Sequence, residues 1–244
     1  AVPTELASLD SLKELNLASN LLQGGLPTNM EELTSLMELS FANNRLSSTI
    51  PLSISTLTKL TSIDLSNNEI SGPLPQEIGF LTNLASLQLG FNSIASIIPS
   101  ELSKLTKLTE LDLTGNSMSG TVPPELQALT KLRDLLLNGN NLSGTIPYQL
   151  SLLPLLQSIG LWDNFLTGTI PLELAQLTRL TSINFGDNSL AGPLPTNIGL
   201  LKDLESLNVT GNSLSGSLPE LIGQLTKLQY LNLADNSLGN SLPF

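Results

Sequence analysis

Residues 105–123 read LTKLTELDLTGNSMSGTVP, and the fold follows from this stretch. Leu111-Asp112-Leu113 alternates apolar with polar, which predicts a short strand with its leucines inward and Asp112 outward. Leu105 and Leu108 precede the strand, Asn116 follows it, and Met118, Gly120, Val122 and Pro123 complete the pattern. The next residues, Pro124-Glu125-Leu126-Gln127-Ala128-Leu129, carry the apolar spacing of a short helix or 3₁₀ segment. Its outer face would be wet, with proline in the first turn.

The pattern recurs along the whole chain without insertion or deletion. Asn20, Asn44, Asn68, Asn92, Asn116, Asn140, Asn164, Asn188, Asn212 and Asn236 stand 24 residues apart. Pro27, Pro51, Pro75, Pro99, Pro123, Pro147, Pro171, Pro195, Pro219 and Pro243 keep the same period. Ten such units cannot each bury an apolar face alone, so they must stack. Stacking places the short strands side by side at about 4.8 Å in one parallel sheet. The recurrent asparagine sits where the chain turns away from that sheet. A buried amide there can donate to and accept from the backbone of adjacent coils, so the ten asparagines read as a structural ladder. Four residues after each asparagine stands a glycine in seven repeats, from Gly24 to Gly216, where a turn would favour positive φ. Ser48, Ser96 and Asn240 replace it elsewhere, so glycine is a preference rather than a requirement.

Composition narrows the function. Twenty-one acidic against ten basic residues give a net charge of −11, which lacks the basic footprint needed for nucleic acid or an anionic membrane surface. The chain has no cysteine and no histidine, so the usual zinc, haem and iron–sulfur ligand sets are missing and no cofactor is expected. No apolar run approaches the roughly 20 residues that span a bilayer. Aromatic residues make up only 4%, so leucine and isoleucine must build the core.

The 24-residue unit ending in L-x-G-x-I-P resembles the plant-type subclass of leucine-rich repeats, from Leu6 to Pro243. That subclass supplies the ectodomains of receptor-like kinases and receptor-like proteins, and the polygalacturonase-inhibiting proteins. The resemblance implies an α/β solenoid: a right-handed superhelix with a concave parallel sheet, short helical or 3₁₀ segments on the convex side, and a second, shorter sheet. It also implies an extracellular or membrane-anchored protein that binds a peptide or protein partner, with no membrane contact by this segment itself. Cysteine-paired caps, usual in the family, are not recognisable in residues 1–244. Val2-Pro3 and Leu242-Pro243 share one phase of the repeat. We read the chain as a single repeat domain cut from a longer array, the alternative being a cap-free protein from outside land plants.

In a solenoid, function is sought where outward positions break the pattern of the scaffold. The columns six, four, two and one residues before each ladder asparagine should face concave solvent. They hold nine of the 21 acids, Glu14, Glu38, Asp64, Glu110, Asp112, Asp134, Asp163, Asp187 and Asp235, and none of the ten bases. Solubility alone can call for acids on an exposed sheet, but the absence of bases points to steering of a partner with a basic patch. Phe91, Leu136 and Trp162 interrupt columns otherwise filled by small or polar residues. Exposed aromatic and apolar residues among polar neighbours are how binding hot spots look. With Asp112, Asp134, Asn138 and Asp163 around them, they define a candidate site for an extended peptide bearing apolar and basic side chains.

Other readings are weaker. Hydroxyl pairs Ser119/Thr121, Ser143/Thr145 and Thr167/Thr169 stack in consecutive repeats, a row that could order water, as in ice-binding plant repeat proteins. Pro73, Ile97 and Pro193 interrupt it. A secreted inhibitor of cell-wall-degrading enzymes is a further alternative. Asn141-Leu-Ser143 and Asn208-Val-Thr210 are glycosylation sequons. No catalytic residue is assigned: no histidine or cysteine supplies a base or nucleophile. The best carboxylate pair, Glu110 and Asp112, lies on an open face with no desolvated pocket to separate its pKa values.

Overall fold

The computed structural model describes residues 3–239; Val2, Asn240, Leu242 and Pro243 of the repeat phase lie outside the described residues. Ten three-residue strands, from Glu14–Asn16 to Tyr230–Asn232, form one parallel sheet in chain order. The register advances by one repeat per strand, pairing Glu110 with Asp134, Leu111 with Leu135 and Asp112 with Leu136. A one-residue slip would turn each buried central leucine to solvent. The sequence period therefore fixes the register. Leu111, Leu135 and Ile159 are fully buried, while Asp112 and Leu136 are half-buried on the opposite face.

The asparagine ladder ties each coil to the one before it. Asn140 Oδ1 accepts the Met118 N–H at 2.9 Å, and its Nδ2 donates to the Leu113 carbonyl of the preceding coil at 3.0 Å. The same Nδ2 also serves Leu137 and Asn138 in its own coil. The two inter-coil bonds recur at every ladder asparagine from Asn44 to Asn236. Among the described residues Asn20 has its bonds to Leu17 and Ala18 alone. A period of 24 residues thus places one amide beside one orphan N–H in each interior coil.

The residue before each ladder asparagine is left-handed in every repeat, as at Asn67 (φ 54), Gly139 (φ 61) and Asp187 (φ 49). This turn explains why the column holds mainly glycine, asparagine and aspartate, which tolerate that conformation. The chain then forms a second, shorter strand. These strands build a four-stranded sheet, from Gln23–Gly24 to Ser93–Ile94, and a six-stranded one, from Ser119–Gly120 to Ser237–Leu238. A lone bridge from Ile97 to Ser119 joins them. The break falls where Ser96 replaces glycine. Positive φ is kept at Ser48 and at the glycines from Gly24 to Gly216 but not at Ser96.

The convex segments are all 3₁₀ among the described residues, five residues or fewer, as in Ser100–Lys104 and Tyr148–Leu152. Proline acts mostly as the extended residue just before the segment (Pro99, φ −64, ψ 130), and its carbonyl accepts the first i+3 bond from Leu102. Only Pro124 stands within the first turn. Of the two expected forms the 3₁₀ is the one adopted, because five residues between a proline and the next core leucine leave no room for an α-helical turn to propagate. The central apolar residue of each, such as Leu102, Leu126 or Leu150, points into a core of stacked leucines continuous from end to end. Phe41 and Phe185 occupy leucine positions there and are fully buried.

Candidate functional site

The middle of the concave sheet gathers most of the residues singled out by sequence. Asp112 and Leu136 are register partners on neighbouring strands, with Gly160 beyond Leu136. Asp134 faces Glu110 on one side and Ser158 on the other. Asn138 Oδ1 accepts the Trp162 backbone N–H at 3.0 Å, linking the sixth repeat to the seventh. Trp162 Nε1 donates to Asp187 Oδ2 at 2.5 Å, which fixes the ring while leaving it 38% exposed. Phe91 and Asp163 lie in the left-handed turn at the rim of the sheet rather than on a strand, and both are exposed.

Glycines make room for these side chains. A Cβ at Gly115 would lie 2.8 Å from the Phe91 ring, and one at Gly186 would lie 2.9 Å from Trp162 Cδ1. At Gly160 it would collide with the Asn138 amide. Each large residue therefore leans over a glycine of the following coil. Phe91 and Trp162 stand three strands apart, about 14 Å along the sheet, with Gly115 and Gly139 of the rim column between them. Phe91 is the one bulky residue with positive φ among those described (φ 55). A side chain of that size is costly in the left-handed region, by about 1–3 kcal/mol. The repeat's own turn imposes this conformation at every ladder position, so what sets Phe91 apart is the size of its side chain there.

The electrostatics of the face are uneven. Burial pushes the Asp134 carboxyl above its ordinary value, Glu110 opposite reinforces the rise, and Arg133 opposes it. Glu110 accepts hydrogen bonds from Ser86 Oγ and Gln88 Nε2, both at 2.9 Å. Asp112 Oδ1 accepts the Thr114 N–H at 2.9 Å, and Asp64 and Asn208 bind the residue two positions on in the same way. Acids in that column therefore also cap the strand end. Glu110 and Asp112, the best carboxylate pair in the sequence, are each held by neighbours on an open surface. The bases lie elsewhere: the only ion pair among the described residues joins Lys227 to Asp203 at 2.7 Å, and Lys107 donates to Asn83.

Sequence reasoning missed Phe165. It begins the second strand one residue after the ladder asparagine and is 62% exposed, two residues beyond Asp163. The signal was present, since that column otherwise holds mostly serine and charged or amide residues. Of the two sequons, Asn141 is exposed, whereas Asn208 is half-buried with its amide donating to Asn184 and accepting from Thr210.

Comparison with known proteins agrees with this geometry. A family model described as leucine rich repeat matches residues 10–70 and 82–142, with further repeat models over residues 203–225 and 224–241. The chain belongs to the leucine-rich repeat family. Its repeats are of the plant type. The plant peptide hormone receptor RGFR1, solved in complex with RGF2, superimposes with a TM-score of 0.96 at 36% identity, covering 97% of this chain and 38% of that one. The Arabidopsis receptor kinase HAESA, solved with the peptide hormone IDA and the co-receptor SERK1, gives 0.91 at 35% identity, covering 99% and 45%. A plant ice-binding protein gives 0.78 at 26% identity, covering 99% and 78%. The leucine-rich repeat chain thus spans about two fifths of the receptor ectodomains it resembles. No curated protein matches its sequence. Among the described residues no helix is long and apolar enough to cross a membrane.

Proposed function

We propose that this chain is a ligand-binding repeat segment of a receptor-like ectodomain, extracellular or membrane-anchored, that holds an extended peptide across repeats four to seven. The observation that carries this reading is the grouping of Phe91 and Trp162, each over a glycine of the next coil, with the half-buried Leu136 between them on one acidic face. Trp162 and Phe91 serve as anchors, Leu136 as the apolar floor between them, and Asn138 as a holder of the Trp162 loop. Asp112, Asp134 and Asp163 attract basic side chains of the peptide and speed its arrival. The likeness to receptors solved with peptide hormones supports the same reading. It involves binding rather than catalysis, with signalling left to other parts of the parent protein.

Selection from an arrayed library of synthetic peptides tests it. Peptides combining lysine or arginine with aliphatic side chains should be retained, and their retention should fall on a Trp162→Ala protein. Equal retention by both proteins would refute the site. An ice-binding reading is favoured only by the threonine row and the ice-binding relative. The row spans three strands, about 10 Å, before Ile97 and Pro193 end it, which is short for an ice plane.

A further inference from the structure

Behind the second sheet, on the side away from the concave face, an open trough of about 860 Å³ runs across repeats five to eight. Its floor is formed by the buried Val122, Ile146, Ile170 and Leu194 with Pro124, Pro147, Pro171 and Pro195. Thr121, Thr145 and Thr169 line one side in successive coils, and Tyr148, 56% exposed, stands on the other with Gln149 and Glu173. No lysine or arginine lines it.

The threonine methyls sit over the glycine column. A Cβ at Gly144 or Gly168 would lie 2.8 Å from the Cγ2 of Thr121 or Thr145, and one at Gly192 would lie 3.0 Å from that of Thr169. Each methyl thus fills the space a side chain would occupy in the next coil. With the methyl seated, the three Oγ1 atoms have no hydrogen-bond partner among the described residues. The neighbouring hydroxyls differ: Ser143 and Thr167 donate to the carbonyls of Gly120 and Gly144. One hydroxyl row is used by the fold. The other has no such partner among the described residues and is spaced at about 4.8 Å.

We propose that this trough binds a linear neutral oligosaccharide. A pyranose chain presents C–H faces and a rim of hydroxyls that recur at every unit. The exposed Tyr148 ring and the proline-lined floor suit the faces, and the free threonine row suits the rim. Because β-branched threonines have few χ1 choices, little side-chain entropy is lost when their hydroxyls bind. The lack of bases, the Glu173 carboxylate and the net charge of −11 exclude a polyanionic glycan. The trough is too open to enclose a compact apolar ligand, which would need most of its surface buried. The site is separate from the concave face and independent of the peptide reading.

The test titrates the intact chain, followed by NMR, with cellohexaose, xylohexaose and mannohexaose, and with an oligogalacturonate of equal length as the anionic control. Binding of at least one neutral chain and none of the galacturonate is expected. Tyr148→Ala should weaken it about tenfold, and Thr145→Val, which keeps the methyl in its seat, about fivefold. Trp162→Ala should leave it unchanged. No binding of any neutral chain, equal binding of the galacturonate, or affinity unaltered by both trough variants would overturn the proposal. So would a purified protein that inhibits ice recrystallisation through Thr145 while ignoring sugars, or one that takes a proline-rich peptide in their place.

Discussion

Replacing Asn140 by alanine separates the structural role of the ladder from mere recurrence. Among the described residues Asn140 Oδ1 is the only hydrogen-bond partner of the Met118 N–H, so its loss strands a buried donor at about 1–3 kcal/mol. The carbonyls of Leu113, Leu137 and Asn138 each lose one bond but keep another, from Asn116, Asn164 and Gly115 respectively. Those three losses add roughly 0.5 kcal/mol each, for a total near 3–4 kcal/mol. Asn20→Ala removes two bonds at an exposed position, where water substitutes, and costs under about 1 kcal/mol. For a chain of this size a urea slope near 3 kcal/mol/M turns these costs into midpoint shifts of about 1 M and under about 0.3 M. Urea titration by circular dichroism, with hydrogen exchange at the Met118 amide as a local readout, measures both. Equal shifts for the two variants would refute the inter-coil ladder as the source of stability.

Gly144→Ala combines positive φ with a clash against the Thr121 methyl and should cost about 2 kcal/mol or more. Gly223→Ala meets nothing within 4 Å, and should be neutral in the same urea titration. Asp134→Asn should raise the melting temperature slightly at pH 7, since the native state binds the Asp134 proton more tightly than the unfolded chain does. The sign follows from linkage: the parent loses stability as pH rises from the ordinary aspartate range through the raised native value. The advantage of the variant must therefore vanish in acid, and a gain that persists below that range would contradict the assignment. Phe91→Asn suits the left-handed turn better, so stability should stay within about 1 kcal/mol of the parent while peptide affinity falls. A larger loss of stability would make Phe91 a packing residue.

The repeat made the fold almost wholly legible, because a strict 24-residue period leaves one register in which Leu111, Leu135 and Ile159 are all buried. The ladder was legible for the same reason. The candidate site was suggested by its outliers, Leu136 and Trp162, but not by what holds them. That Gly115, Gly160 and Gly186 are platforms for Phe91, Asn138 and Trp162 depends on how side chains lean between coils, a direction no single repeat encodes. The left-handed turn was written in the Gly/Asn/Asp composition of its column, yet it places Phe91 and Asp163 at the rim rather than on the sheet. Asp112 looked like a ligand group by charge alone. Its bond to the Thr114 N–H shows that strand capping also selects for acids there. The threonine row Thr121, Thr145 and Thr169 was legible as stacked hydroxyls, but the trough beside it and the seating of its methyls over the glycine column depend on packing between coils.

The most direct test of the peptide site is calorimetric titration of a library-selected peptide into the parent protein and into Trp162→Ala and Leu136→Ala. Loss of one buried anchor should weaken binding by tenfold or more, about 1.4 kcal/mol, with circular dichroism unchanged and with further weakening at high salt from the acidic face. Affinity equal to the parent in both variants would contradict the site.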